Sequence, residues 1–129
     1  MKIMIDTNAY SAFKRGDRPI VEALARADEI LVPVPVLGEL RAGFRAGRRE
    51  AENLGELEAF LSSPRVRVQV LGEETAVFWA ELQGALKAAG SPIPTNDLWI
   101  AASALESGSI LLTRDAHFEA VAGLICRGE

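Results

Sequence analysis

Apolar and polar positions along this chain predict strands and helices in turn. Lys2-Ile3-Met4-Ile5 reads as a short apolar strand that closes at Asp6. Thr7 or Asn8 can cap a short helix carrying Tyr10 and Phe13. Gly16-Asp17-Arg18-Pro19 breaks that helix and opens another, in which Ile20, Leu24 and Ala27 recur at helical spacing. Ile30-Leu31-Val32 is the second strand. Pro35 suits a helix start, where its missing N–H costs nothing, and Val36, Leu37, Leu40 and Phe44 form the apolar stripe that follows. After a break near Gly47, a further helix carries Leu54, Leu57 and Leu61 and ends at Ser62-Ser63-Pro64.

Residues 65–70 change the pattern. Val66, Val68 and Val70 fall on one face and Arg65, Arg67 and Gln69 on the other, so this strand belongs at a sheet edge. A long helix follows from Glu73 to Ala89, with acids in its first turn and Gly90 just past its end. Ser91-Pro92-Ile93-Pro94 is a rigid connector into a helix over Asn96–Glu106. Ile110-Leu111-Leu112 is apolar throughout, as a central strand is, and Leu124-Ile125-Cys126 reads as a short final strand. The β-α alternation predicts an α/β fold on a parallel sheet. No repeat, low-complexity tract or linker interrupts it, so residues 1–129 are expected to form one domain.

Placed on these elements, four acids fall at one predicted rim. Asp6 and Asp115 follow strands, Asp97 opens a helix, and Glu39 lies in the first turns of the helix entered through Pro33-Val34-Pro35. In alternating chains, strand C-termini and helix N-termini gather at one end of the sheet, where such folds bind ligands. Carboxylates brought together there repel one another unless a hard divalent cation neutralises them. The pattern therefore points to a metal site and to phosphate chemistry. Each acid also has an ordinary structural reading. Glu39 flanks the apolar stripe beside Ala42, Gly43 and Ala46; Asp97 complements a helix dipole, with Thr95 as N-cap; Asp115 caps a short closing helix. What those separate readings explain poorly is all four acids at the same rim.

Composition trims the alternatives. With 49% hydrophobic and 25% charged residues, the chain can build a real core. Net charge of −4 argues against a nucleic-acid partner only superficially: set the four acids aside and the remaining 14 balance the 14 Lys and Arg residues. Arg41, Arg45, Arg48 and Arg49 read first as a solvated helix face, with contact to an RNA backbone as the other reading. Single copies of cysteine and histidine exclude a conventional zinc site, and the oxygen-only set that remains favours Mg²⁺ or Mn²⁺. His117 follows Asp115 by two residues, where it caps or packs, or else orients that acid or touches the leaving group. Cys126 is expected as a small buried residue in a reducing cytoplasm, and Trp79 and Trp99 as core or interface residues. No leader is expected with an acid as early as Asp6, and the most apolar run, 30–38, is too short to span a bilayer.

Ile5-Asp6-Thr7-Asn8, Pro35-Val36-Leu37-Gly38-Glu39-Leu40, Asn96-Asp97-Leu98-Trp99-Ile100-Ala101-Ala102 and Leu112-Thr113-Arg114-Asp115-Ala116-His117-Phe118 together resemble the PIN-domain ribonucleases. More narrowly, they are similar to the VapC toxins of prokaryotic toxin–antitoxin pairs. The resemblance covers the whole chain and implies a three-layer α/β/α sandwich with a parallel sheet in the order 3-2-1-4-5. It implies a Mg²⁺- or Mn²⁺-dependent endoribonuclease that leaves a 5′-phosphate and a 3′-hydroxyl. Asp6 and Asp97 would hold the principal metal, with Glu39 and Asp115 completing the shell directly or through water. Asn8 and Thr113 match the family's supporting polar positions, and Trp99 stands where an aliphatic residue is more usual. The implied partners are RNA, a second copy of the chain, and a small cognate antitoxin whose C-terminal segment crosses the active-site groove. A housekeeping RNA-processing PIN nuclease and a noncatalytic PIN module are the alternatives, and the intact acid set weighs against the second.

Overall fold

A computed structural model describes residues 1–128, apart from the side chain of Cys126. Five strands, β1 (Lys2–Ile5), β2 (Glu29–Pro33), β3 (Val66–Gln69), β4 (Ile110–Leu112) and β5 (Cys126–Arg127), form one sheet in the order β3-β2-β1-β4-β5. Every pair is parallel, with Ile3 opposite Ile30 on one side and Ile110 on the other. The connections are α1 (Thr7–Lys14) and α2 (Arg18–Arg26), α3 (Val34–Ala46) and α4 (Glu50–Leu61), then α5 (Glu73–Ala88) and α6 (Thr95–Ser107). A short 3-10 turn over Ala116–Ala120 links β4 to β5.

Chain direction across the sheet sets the layers. The path runs outward from β1 to β2 to β3, then returns to the other side of β1 for β4 and β5. Right-handed crossovers place the first four helices on one face and the later ones on the opposite face. This is the expected α/β/α sandwich in the expected order. The path reverses between β1 and β4, whose C-terminal ends therefore form the topological switch point.

The core follows the apolar runs. Ile3, Met4, Ile5, Leu31, Val32, Leu111 and Leu112 are fully buried, as strands covered on both faces must be. α6 buries Leu98, Ile100, Ala101, Ala102 and Ala104, so small residues let it lie close against its neighbours. Two buried polar groups are satisfied, one within its helix and one between helices: Ser103 Oγ donates to Trp99 O (2.8 Å), and Thr75 Oγ1 on α5 donates to Glu106 Oε1 on α6 (2.6 Å). Among the described residues no helix is long and apolar enough to cross a membrane.

Local expectations needed correction at several points. β3 is the edge strand its alternation required, but its ladder ends at Gln69, leaving Val70 69% exposed. Arg65 precedes the strand and its guanidinium caps the end of α2 through Leu24 O and Ala27 O. The last strand is Cys126–Arg127 rather than 124–126: Leu124 is held in a turn by its N–H bond to Val121 O, and pairing starts only at Ile125 O, which accepts from Leu111 N–H. The expectation for the Cys126 side chain falls outside the described residues. Thr95 is the first residue of α6, and Pro94 precedes it as an N-cap without a side-chain bond.

Candidate metal centre at the switch point

β1 delivers Asp6 to the sheet's C-terminal edge, where the backbone is still extended (φ −92°, ψ 179°). Its carboxylate, not the Thr7 or Asn8 side chain, caps α1: Oδ1 accepts from Ala9 N–H at 2.8 Å. Oδ2 accepts from the Thr113 hydroxyl at 2.5 Å. Thr113 follows β4, the strand next to β1, and its Oγ1 in turn accepts from Asp115 N–H at 3.0 Å. One buried hydroxyl thus ties the first acid to the fourth. Thr113 N–H donates to Arg127 O (2.8 Å), so β5 fixes the start of this loop.

Thr7, released from capping, donates to Glu39 Oε1 at 2.6 Å across the gap between α1 and α3. Sequence reading gave Thr7 only a capping role. The signal available was its place inside Asp6-Thr7-Asn8, but a partner 32 residues distant is visible only once α1 and α3 are docked. Asp97, in the first turn of α6, faces Asp115 and His117. His117 Nδ1 lies 3.2 Å from Asp97 Oδ2 and 3.1 Å from Asp115 Oδ1. Asp115 also caps the 3-10 turn, accepting from His117 N–H at 2.9 Å, so its capping role and its place among the acids are both real.

The acids sense one another electrostatically. Burial, chiefly, raises the Asp6 carboxyl above the ordinary aspartate value; bonds from Thr113 and Ala9 oppose this, while Asp115 and Asp97 add to it. Asp97 is likewise raised, first by burial, with His117 opposing and Asp115 and Glu39 reinforcing. These pairings join all four predicted acids in one cluster. A carboxylate that is pushed towards neutrality by burial and by its own kind is a group lacking a counter-ion. Asp97, Asp115 and His117 each present a ligand atom, all within 4.8 Å of one another, so the donor set fits a divalent cation. The sequence treated this set as oxygen-only; the fold adds a nitrogen.

Other expected residues fall differently. Asn8 is exposed and lines a small pocket with Ala12, Arg15 and Arg114, with no hydrogen bond to the acids among the described residues. Arg114, between Thr113 and Asp115, reaches back to both oxygens of Asp17 at 2.5 and 2.8 Å, anchoring the loop to the turn between α1 and α2. Arg41, Arg45, Arg48 and Arg49 are all exposed, as a solvated face requires, and Arg49 pairs with Glu52.

Comparison with known proteins accords with this geometry. The family model described as PIN domain matches residues 3–124. Ribonuclease VapC5 of Mycobacterium tuberculosis is 32% identical, covering 93% of this chain and 87% of its own length. Ribonuclease VapC2 of Rickettsia felis is 30% identical, covering 97% and 96%. The crystal structure of VapBC2 from Rickettsia felis bound to a DNA fragment from its promoter superposes with a TM-score of 0.84 at 29% identity, over 98% of both chains.

Proposed function

The chain belongs to the PIN-domain family, among its VapC ribonucleases, and from that premise we propose that it is the toxin of a toxin–antitoxin pair. It hydrolyses RNA phosphodiester bonds internally, with Mg²⁺ or Mn²⁺ as cofactor and residues 1–129 as a single PIN domain working in the cytoplasm. The observation that carries the reading is the gathering of acids at the switch point of a parallel sheet: Asp97 and Asp115 share the His117 ring nitrogen, Thr113 ties Asp6 to the Asp115 backbone, and the buried Asp6 and Asp97 carboxyls are raised.

Asp6 and Asp97 would hold the principal ion, and Glu39 and Asp115 would complete its surroundings directly or through water. When bound, such an ion lowers the pKa of a coordinated water and neutralises charge on the phosphoryl oxygens. The protein's own residues position the acids. Thr113 holds Asp6 and the Asp115 backbone in one rigid unit, and Thr7 aims Glu39. Each Asp6 oxygen accepts one hydrogen bond and keeps a lone pair free for a further partner.

The partners follow from the same reading: an RNA substrate, a second copy of the chain, and a small cognate antitoxin. The antitoxin lays its C-terminal segment across the groove with a basic side chain among the acids. Support comes from a solved relative, 28% identical, whose name gives it as a member of the VapBC family of toxin–antitoxin systems from Mycobacterium tuberculosis.

The test compares wild type with Asp97→Asn, both checked for folding by circular dichroism. Thermal unfolding is recorded with EDTA, Mg²⁺ and Mn²⁺, and RNA cleavage is assayed under the same conditions. A metal binding only the native state adds about 2.7 kcal/mol of stability at a hundredfold excess over its dissociation constant. The wild type gains that increment with Mn²⁺ and cleaves RNA; Asp97→Asn does neither. Metal-dependent cleavage by the folded variant at the wild-type rate would overturn the assignment.

A further inference from the structure

His117 is the one histidine in the chain, and its placement is unusual for a surface side chain. The ring is half exposed, yet Nδ1 points inward at two carboxylates, 3.2 Å from Asp97 Oδ2 and 3.1 Å from Asp115 Oδ1. Its backbone N–H donates to that same Asp115 oxygen, which fixes the stretch of main chain from which the ring reaches the acids. Around a small divalent ion with bonds of about 2.1 Å, neighbouring ligand atoms lie about 3 Å apart. Nδ1 already has that spacing from two acids.

We propose that His117 Nδ1 is a nitrogen ligand, beside Asp97 and Asp115, of the divalent ion of this acid centre, and that it tilts this centre towards Mn²⁺ over Mg²⁺. The proposal rests on the metal-centre reading given above. Imidazole suits transition ions, whereas Mg²⁺ prefers an all-oxygen shell. As a ligand the ring presents the Nδ1 lone pair and carries its hydrogen on Nε2.

The test uses the full chain with MnCl₂ or MgCl₂ alone, so no RNA substrate is needed. Mn²⁺ affinity is read from the loss of the free-ion electron paramagnetic resonance signal, Mg²⁺ affinity from its displacement of Mn²⁺, and nitrogen ligation from the electron spin-echo modulation of bound Mn²⁺. With a single imidazole in the chain, a bound-nitrogen signal has one assignment. Wild type shows that signal. His117→Ala, whose exposed site keeps the variant folded, loses the signal and binds Mn²⁺ at least about tenfold more weakly, since even the outer partners of ligands are worth that much. Its Mg²⁺ affinity falls by less. A wild-type spectrum without nitrogen modulation, or unchanged Mn²⁺ affinity in His117→Ala, overturns the role of His117 and leaves the acid centre standing. Wild type that binds no Mn²⁺, or Asp97→Asn that binds it equally well, overturns the metal centre itself and the proposal with it.

Discussion

At the scale of single residues, the acids show how one side chain serves folding and chemistry together. Asp6 caps α1 and accepts from Thr113, and burial still raises its carboxyl. The sign of the stability effect follows. Between the ordinary aspartate pKa and the raised folded one, the native state binds more protons than the unfolded state, so stability falls as pH rises through that window. In metal-free protein, Asp6→Asn removes this loss. Asparagine still caps α1 with Oδ1, and Thr113 Oγ1 can accept from its amide nitrogen. Melting points measured in EDTA should therefore converge at acid pH and separate as pH rises, with the variant the more stable at neutrality. Parallel curves would show that Asp6 has no raised carboxyl. Which residue caps α1 was not legible from residue type alone. Asp6, Thr7 and Asn8 are all good caps, and the choice rests on which one stays extended when β1 meets the helix.

At the scale of elements, helix and strand identities were legible because the apolar spacing is unambiguous, while their ends were set by pairing and turn geometry. The end of α6 matters most to the site. Gly108 closes that helix in the left-handed region (φ 66°), and Ser109 N–H bonds back to Ala104 O. That turn returns the chain directly into β4 beside β1, and so brings Thr113 to Asp6. A methyl group at Gly108 would meet no atom within 4 Å, so the cost of Gly108→Ala is conformational, about 1 kcal/mol. For a domain of this length the melting point should fall by roughly 3–6 °C, with cleavage per folded molecule retained. An unchanged melting point would mean that the turn relaxes without strain. The last strand illustrates the opposite case: three apolar residues, Leu124 to Cys126, advertised a strand one or two residues early, because the turn at Gly123 (φ 81°) delays pairing.

At the scale of the whole molecule, sheet order decides what the site contains. Because β1 and β4 are neighbours, Asp6 and Thr113, 107 residues apart, share a hydrogen bond. On the α5–α6 side, Trp79 and Trp99 stack with centroids 5.3 Å apart, and both are only partly buried. This surface is where a second copy is expected to dock. Sedimentation of the isolated chain should give twice the mass of 129 residues, and a strictly monomeric mass at all concentrations would remove the homodimer from the reading.

The sequence by itself determined the α/β class, the edge position of the Val66–Gln69 strand and the candidacy of Asp6, Glu39, Asp97 and Asp115. Those properties are carried by hydrophobic period and by residue type at strand and helix ends, which are local. Only the tertiary structure decided that Thr113 bridges two of the acids, that Thr7 serves Glu39 rather than α1, and that His117 reaches Asp97 as well as Asp115. Each is a contact between segments distant in the chain or a choice among equivalent side chains. Both are settled by the packing of whole elements, on which a local pattern is silent.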